Sequence, residues 1–250
     1  MTTWCSKTQR VGFLAINADL ACATWNIHRA KGADGRVDPG RVLRAILDEP
    51  RLAGADALVL TEADGERAPH PGLLDLDRLA GTAGLVPAGG RAAAWGTESH
   101  GFLGTLVLVR AGTPVGRVSV IDLPGVYPRG AVVADLARVR LVAAHLSLGQ
   151  PLRIAQMRGI AQHLARLPAL PVILLGDLNE WRPWGGMALS QRVAGRRLTG
   201  PALATFPARW PVLPLDRILS EQTVAGAEVL DTPAFRAASD HLPLVARVGV

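Results

Sequence analysis

Four consecutive apolar residues, Val172 to Leu175, stand between Pro171 and Gly176 and run straight into Asp177, Leu178, Asn179 and Glu180. An unbroken apolar run of this length is the pattern of a strand covered on both faces, so something must pack on each side of it. Residues two apart in an extended chain point the same way, and the strand delivers Asp177 and Asn179 together to one edge of a sheet. Gly176 allows the backbone to approach a ligand closely. A polar turn closing a strand uses the same residue types. This stretch alone therefore leaves a turn and a site equally open.

The pattern recurs along the chain. Apolar or alternating runs rich in Val, Leu and Ile mark strands at residues 21–27, 57–60, 105–109, 131–136, 141–146, 172–175, 215–219 and 242–248. Helices are expected at residues 39–49, with Asp38 as N-cap and Pro39 at the first helical position, and at 152–167, where apolar residues repeat at helical spacing. Further helices are expected at 71–79 and 183–191. Two sheets packed face to face with helices outside account for this mixture.

Most of these strands meet their loops at a polar side chain. Asn26 and His28 follow the first, Thr61 and Glu62 the second, and His145 the run from Leu141. Asp177 and Asn179 follow Leu175, Asp216 sits beside Leu215, and Ser239, Asp240 and His241 open the last strand. Singly, each has a bland reading as a loop acid, a core histidine or a turn former. Six such ends of mutually compatible chemistry point to a site. A hard cation such as Mg²⁺ takes a few carboxylate or amide oxygens and keeps several waters, and Glu62, Asn26 and Asp240 suit it. No multi-His or Cys cluster argues for zinc. Hydrolysis of a phosphate ester needs an activated water, positive charge on the nonbridging oxygens and a proton for the leaving oxygen. His241, oriented by Asp216 or Asp177, fits a base. His145 fits an acid or a donor to the phosphoryl group, and Asn179 a neutral donor to the same group.

Composition sets the outer bounds. With 250 residues, 49% hydrophobic and 19% charged, the chain can form a single domain, expected over residues 21–250 behind an N-terminal extension of residues 1–20 that need not be ordered. No apolar stretch is long enough to span a bilayer. The net charge of +6 favours anionic substrates, but only Lys7 and Lys31 among the 27 basic residues are lysines. That arginine bias reflects overall composition and is weak support for nucleic acid. Cys5 and Cys22 have neither metal-ligand nor disulfide spacing, so a reducing, cytoplasmic compartment is expected, and a monomer.

With those residues in view the chain resembles the endonuclease/exonuclease/phosphatase superfamily, the DNase I-like proteins. The matching segments are TWNIH from Thr24, LTE from Leu60, PRGAVVADL from Pro128, AAHLSL from Ala143, GDLNEW from Gly176, TFP from Thr205, LDRIL from Leu215 and SDHLPL from Ser239. They fall in the family's order, and the flavour is that of a bacterial subgroup with GD-x-N-[DE]-W. The resemblance implies a four-layer α/β/β/α sandwich of two mostly antiparallel sheets, with the site at one edge. It implies Mg²⁺ or Mn²⁺ at Glu62 and Asn26, with Asp240 near the metal and the base. His145 would stabilise the transition state, Asp177 and Asn179 would position water and phosphate, and Asp216 would orient His241. Arg129 falls at a phosphate-clamping position, where an Arg fork suits the ligand, and Thr205 would be a second phosphate contact. His28 stands where apurinic endonucleases carry an acid, which speaks against abasic-site activity. His70, His100 and His163 receive no role.

The function expected is divalent-metal-dependent hydrolysis of a phosphodiester, foremost in nucleic acid. The alternatives are a phospholipid or sphingolipid headgroup, a phosphomonoester, and a binding module that keeps the fold without turnover. Trp181, Trp184, Phe206 and Trp210 follow two of the motifs and could rim the site against lipid or stack on bases.

Overall fold

The structure is a computed structural model and describes residues 19–250. The extension expected at residues 1–20 lies outside it as far as residue 18. Asp19 and Leu20 already belong to the first strand, where Asp19 pairs with Gly249.

Eleven strands form two sheets. The first contains β1 (Asp19–Asn26), β2 (Ala57–Thr61), β3 (Leu85–Pro87), β4 (Leu106–Arg110), β10 (Val224–Val229) and β11 (Leu244–Gly249), ordered β10-β11-β1-β2-β4-β3. The second contains β5 (Val115–Leu123), β6 (Arg129–Leu136), β7 (Arg140–Ala144), β8 (Val172–Asp177) and β9 (Asp216–Ser220) in sequential order. Only the central pairs β1–β2 and β7–β8 are parallel. Each parallel pair needs a helical crossover. Helices α1 (Pro39–Asp48) and α2 (Pro50–Ala53) supply one, and α4 (Gln150–Ala165) the other. The remaining helices are α3 (Leu76–Ala83), α5 (Gln191–Ala194) and α6 (Pro233–Ala238).

The runs of continuous apolar sequence are explained by layering. Successive side chains on a strand face opposite ways, and both faces of both sheets are covered. Trp25, Leu58, Leu60 and Leu108 pack outward beneath α1, α3 and α6. Their neighbours Cys22, Val59 and Val107 point inward and meet Val132, Leu141, Ile173 and Ile218 of the second sheet. Val133, Val142, Val172 and Leu174 face the other way, onto Met157, Ile160 and Leu164 of α4. The result is the four-layer α/β/β/α sandwich.

Some boundaries move. The helix expected at 71–79 begins only at Leu76, because Asp75 caps it by accepting a hydrogen bond from the Arg78 amide. The helix expected at 183–191 is a series of turns, with helix only at Gln191–Ala194. The helix at 39–49 starts as expected, with the Asp38 carboxylate accepting from the Arg41 amide.

Candidate active site

The polar strand ends meet at one end of the sandwich because of strand direction. The parallel strands β1 and β2 both run toward that end, as do β7 and β8. β4, β6, β9 and β11 are antiparallel to their neighbours and begin there. Asp177 thus sits opposite Asp216 in register, and Asn26 beside Thr61.

Asp177 is the hub, and it is buried. Its Oδ2 accepts from Asn26 Nδ2 at 3.0 Å, a bond from one sheet to the other. The same oxygen lies 3.4 Å from His145 Nε2 and 3.9 Å from His241 Nε2. Its Oδ1 accepts from the Asn179 amide at 3.0 Å. Asn179 is held in turn by donating Nδ2 to the Leu146 carbonyl at 2.8 Å, which leaves its second amide hydrogen for another acceptor.

Gly176 has a different role from the one expected of it. At φ +136° its hydrogen faces the Ala144 carbonyl oxygen of β7, where a Cβ would collide. The close approach is between neighbouring strands and not to a ligand.

Behind the hub, His241 Nδ1 is 2.7 Å from Asp216 Oδ2. Phe206 packs on the imidazole with ring centroids 4.8 Å apart, and Ser239 ties the turn by accepting from the His241 amide and donating to the Asn26 carbonyl. Thr205, expected at phosphate, is fully buried, and its only hydroxyl hydrogen goes to Asp216 Oδ2 at 2.6 Å. It has no donor left for a ligand and instead fixes the carboxylate that holds His241.

The two imidazoles are held in opposite states. Burial pulls the pKa of His145 down to about 3; the nearby Asp177 opposes this, while Arg129, His241 and Arg29 add to it. His145 is therefore neutral near pH 7 and offers one N–H. Burial also lowers that of His241, but Asp216, Asp177 and Asp240 together outweigh it and carry the pKa up to about 10. His241 is a cation near pH 7.

At the rim, Glu62 (φ +56°) follows β2, and its Oε2 accepts from Arg29 Nη1 at 3.0 Å. Nothing in the sequence motifs singles out Arg29. It belongs to a turn of three consecutive left-handed residues, His28 (φ 48°), Arg29 (φ 48°) and Ala30 (φ 58°). For residues bearing a Cβ each costs roughly 1–2 kcal/mol, and Asn26 Oδ1 helps to hold the turn by accepting from the His28 amide at 2.9 Å. His28 Nδ1 lies 3.5 Å from Asp240 Oδ1. Arg129 opens β6 half-buried. Burial lowers its pKa against the raising influence of Glu62 and Asp177, and its guanidinium makes no hydrogen bond or ion pair among the described residues.

Two sets of side chains could face a cation. Ligand atoms of Asp177, Asp216 and His241 lie within 4.8 Å of one another. Neither Glu62 nor Asp240, both expected as metal ligands, belongs to that set. Within that set His241 is a protonated imidazole bound to Asp216 Oδ2, and such an imidazole does not ligate metal. Asp216 Oδ1 and Asp240 Oδ1 are both buried with no hydrogen-bond partner, and such atoms cost desolvation until something positive meets them. Arg29 engages Glu62 through Oε2, and Asn26 Oδ1 has a second lone pair. All are hard donors, so the residues fit Mg²⁺ or Mn²⁺.

Known proteins share this fold. YbhP of Escherichia coli K12 is 29% identical over 97% of this chain and 98% of its own length. Humanized D. rerio TDP2 has the same fold, with a TM-score of 0.67 at 16% identity, covering 94% of this chain and all of that one. A mannosyl-6-phosphatase of Bacteroides thetaiotaomicron gives 0.62 at 16%, covering 92% and 99%. The sequence profile of the endonuclease/exonuclease/phosphatase family matches residues 23–241, from the first strand to the buried imidazole. The chain belongs to the endonuclease/exonuclease/phosphatase family.

Proposed function

We propose that the protein hydrolyses a phosphodiester with a divalent cation, Mg²⁺ or Mn²⁺. One observation carries the reading. Asp177 gathers an amide from one sheet and two imidazoles of opposite protonation state around a single oxygen, within electrostatic reach of the Arg129 guanidinium.

Arg129 binds nonbridging phosphoryl oxygens with its planar fork. His145 and the spare amide hydrogen of Asn179 donate to the same group. The base expected from the sequence is His241. Since its carboxylate neighbours keep it protonated to about pH 10, it acts here as a charged donor, and the proton goes to Asp177. As the water oxygen bonds to phosphorus, its proton passes to Asp177. The P–O bond to the leaving group breaks, and the alkoxide takes its proton from the His241 imidazolium. Asp216 and Thr205 position His241. A cation held by Glu62, Asp240 and Asn26 would neutralise charge on the phosphoryl group. The fold's likeness to a mannosyl-6-phosphatase supports phosphoester chemistry, and a monoester is the second reading.

The test is a panel of soluble phosphodiesters and monoesters with and without chelator. Chelator-sensitive turnover of bis-p-nitrophenyl phosphate supports the proposal. Turnover indifferent to chelator, or none across the panel with Mg²⁺ and Mn²⁺, removes it.

A further inference from the structure

We propose that the loops around the active site are a membrane-docking face, and that the ester cleaved is the phosphodiester of a phospholipid headgroup presented by a bilayer. The substrate half of this rests on the hydrolysis proposed above; the docking half does not.

The observation is one of distribution. All ten large hydrophobic side chains exposed among the described residues lie in loops at the site end of the sandwich. Among those residues the helix faces and the far end carry none. Eight of the ten stand on four neighbouring loops of the second sheet, those entering β6, leaving β7, leaving β8 and entering β9. Exposed apolar patches of this kind mark interaction surfaces. Four of the side chains are the aromatic Tyr127 (71% exposed), Trp181 (52%), Trp184 (75%) and Trp210 (72%). Trp and Tyr are the residues that settle at a lipid headgroup boundary.

Two features separate a bilayer from a nucleic acid. The other four side chains, Val126, Leu148, Met187 and Val212, are aliphatic. They enter acyl chains readily but have no ring with which to stack on a base. The four loops, residues 124–128, 145–149, 178–190 and 200–215, are also poor in charge. Their only charged residues are Glu180, Arg182 and Arg209, and Arg182 is bound to Glu180 at 2.7 Å. A nucleic-acid backbone needs a track of basic side chains, and these loops lack one. The loops are anchored from beneath, since Arg217 of β9 donates to the Glu180 and Arg182 carbonyls and Gln156 of α4 to the Pro124 carbonyl. The apolar side chains are thus presented by fixed backbone. No helix among the described residues is long and apolar enough to cross a membrane.

The experiment uses sedimentation with phosphatidylcholine vesicles and, in parallel, turnover of vesicle lipid and of bis-p-nitrophenyl phosphate. The proteins are the full chain, a Trp181→Ser/Trp184→Ser/Trp210→Ser variant and a separate Tyr127→Ser/Leu148→Ser variant. The full chain should sediment with vesicles, and added salt should not release it. Each variant should lose vesicle binding and lipid turnover by on the order of tenfold or more, with hydrolysis of the soluble diester unchanged. Vesicle binding that is absent, unaltered in both variants, or abolished by salt while single-stranded DNA competes would overturn the docking face. No soluble-diester turnover by the full chain, with vesicle binding intact, would overturn the hydrolysis and leave the docking standing.

Discussion

His241 Nδ1 and Asp216 Oδ2 stand 2.7 Å apart in the interior, and Asp216 is further fixed by the Thr205 hydroxyl. The pair holds an imidazole as a cation beside the carboxylate proposed to accept the proton from water. Asp216→Asn removes the largest raising influence on His241. Hydrolysis should fall by roughly 10²–10⁴-fold, the range for a group that controls a proton in the transition state. The alkaline limb of the wild-type rate profile should lie near pH 10, where His241 loses its proton, and should move toward neutrality in the variant. Rate–pH profiles of the two proteins check both.

His145 makes an acid-side prediction. Its folded pKa of about 3 lies below the ordinary value of 6.5. The unfolded chain therefore binds a proton below about pH 6.5 that the folded chain refuses, and stability is lost as pH falls from there toward 3. His145→Gln should be less stable than wild type at pH 7 by the loss of fitted packing. That deficit should shrink between pH 6.5 and 4. Thermal midpoints of both proteins across that range decide it; a constant deficit would contradict the buried neutral imidazole.

The proposed cation-holding role of Glu62 separates from its contact with Arg29. Glu62→Gln should weaken Mn²⁺ binding by tenfold or more on calorimetry, taking ~1.4 kcal/mol per tenfold as the scale of one lost charge-assisted ligand. Arg29→Gln removes a competing cation from the same carboxylate and should bind Mn²⁺ no more weakly than wild type. Equal affinities for Glu62→Gln and wild type would place the metal elsewhere.

Glu180 is a structural acid within the site loop. It is fully buried, 3.3 Å from the buried Arg153 and 2.7 Å from Arg182. Removing one partner of a buried pair strands the other charge, at about 3–5 kcal/mol. Glu180→Ala should lower the thermal midpoint by many degrees. An unchanged midpoint would show that Arg153 is satisfied without it.

Much of this arrangement is legible in the amino-acid sequence, and the gaps have a common cause. The eight strands expected from apolar runs are covered on both faces or close the second sheet at β9. The three strands not anticipated, β3, β5 and β10, are all edges: β3 has three residues, and apart from the buried Leu123 β5 and β10 consist of half-buried and exposed positions. Their sequences have no continuous apolar run to signal them. α6 does carry a usable signal, Thr232 as N-cap ahead of Pro233. In the site, the strand-end residues are visible because each interrupts an apolar run. Arg29 is not, because an arginine one residue beyond a motif looks like any surface arginine; only the left-handed turn and the β1–β2 register bring it onto Glu62. The fully spent hydroxyl of Thr205 is likewise a tertiary fact, set by Asp216 eleven positions later.

The central claim is that Asp177 and His241 serve one proton-handling centre, and a double-mutant cycle tests it most directly. Bis-p-nitrophenyl phosphate hydrolysis is measured with Mg²⁺ for wild type, Asp177→Asn, His241→Asn and the double variant. Groups that act as a unit are strongly non-additive, so each single change should cost nearly as much as both, and the double variant should be scarcely slower than the worse single. Losses that multiply, or a single variant that keeps wild-type turnover, would contradict the account.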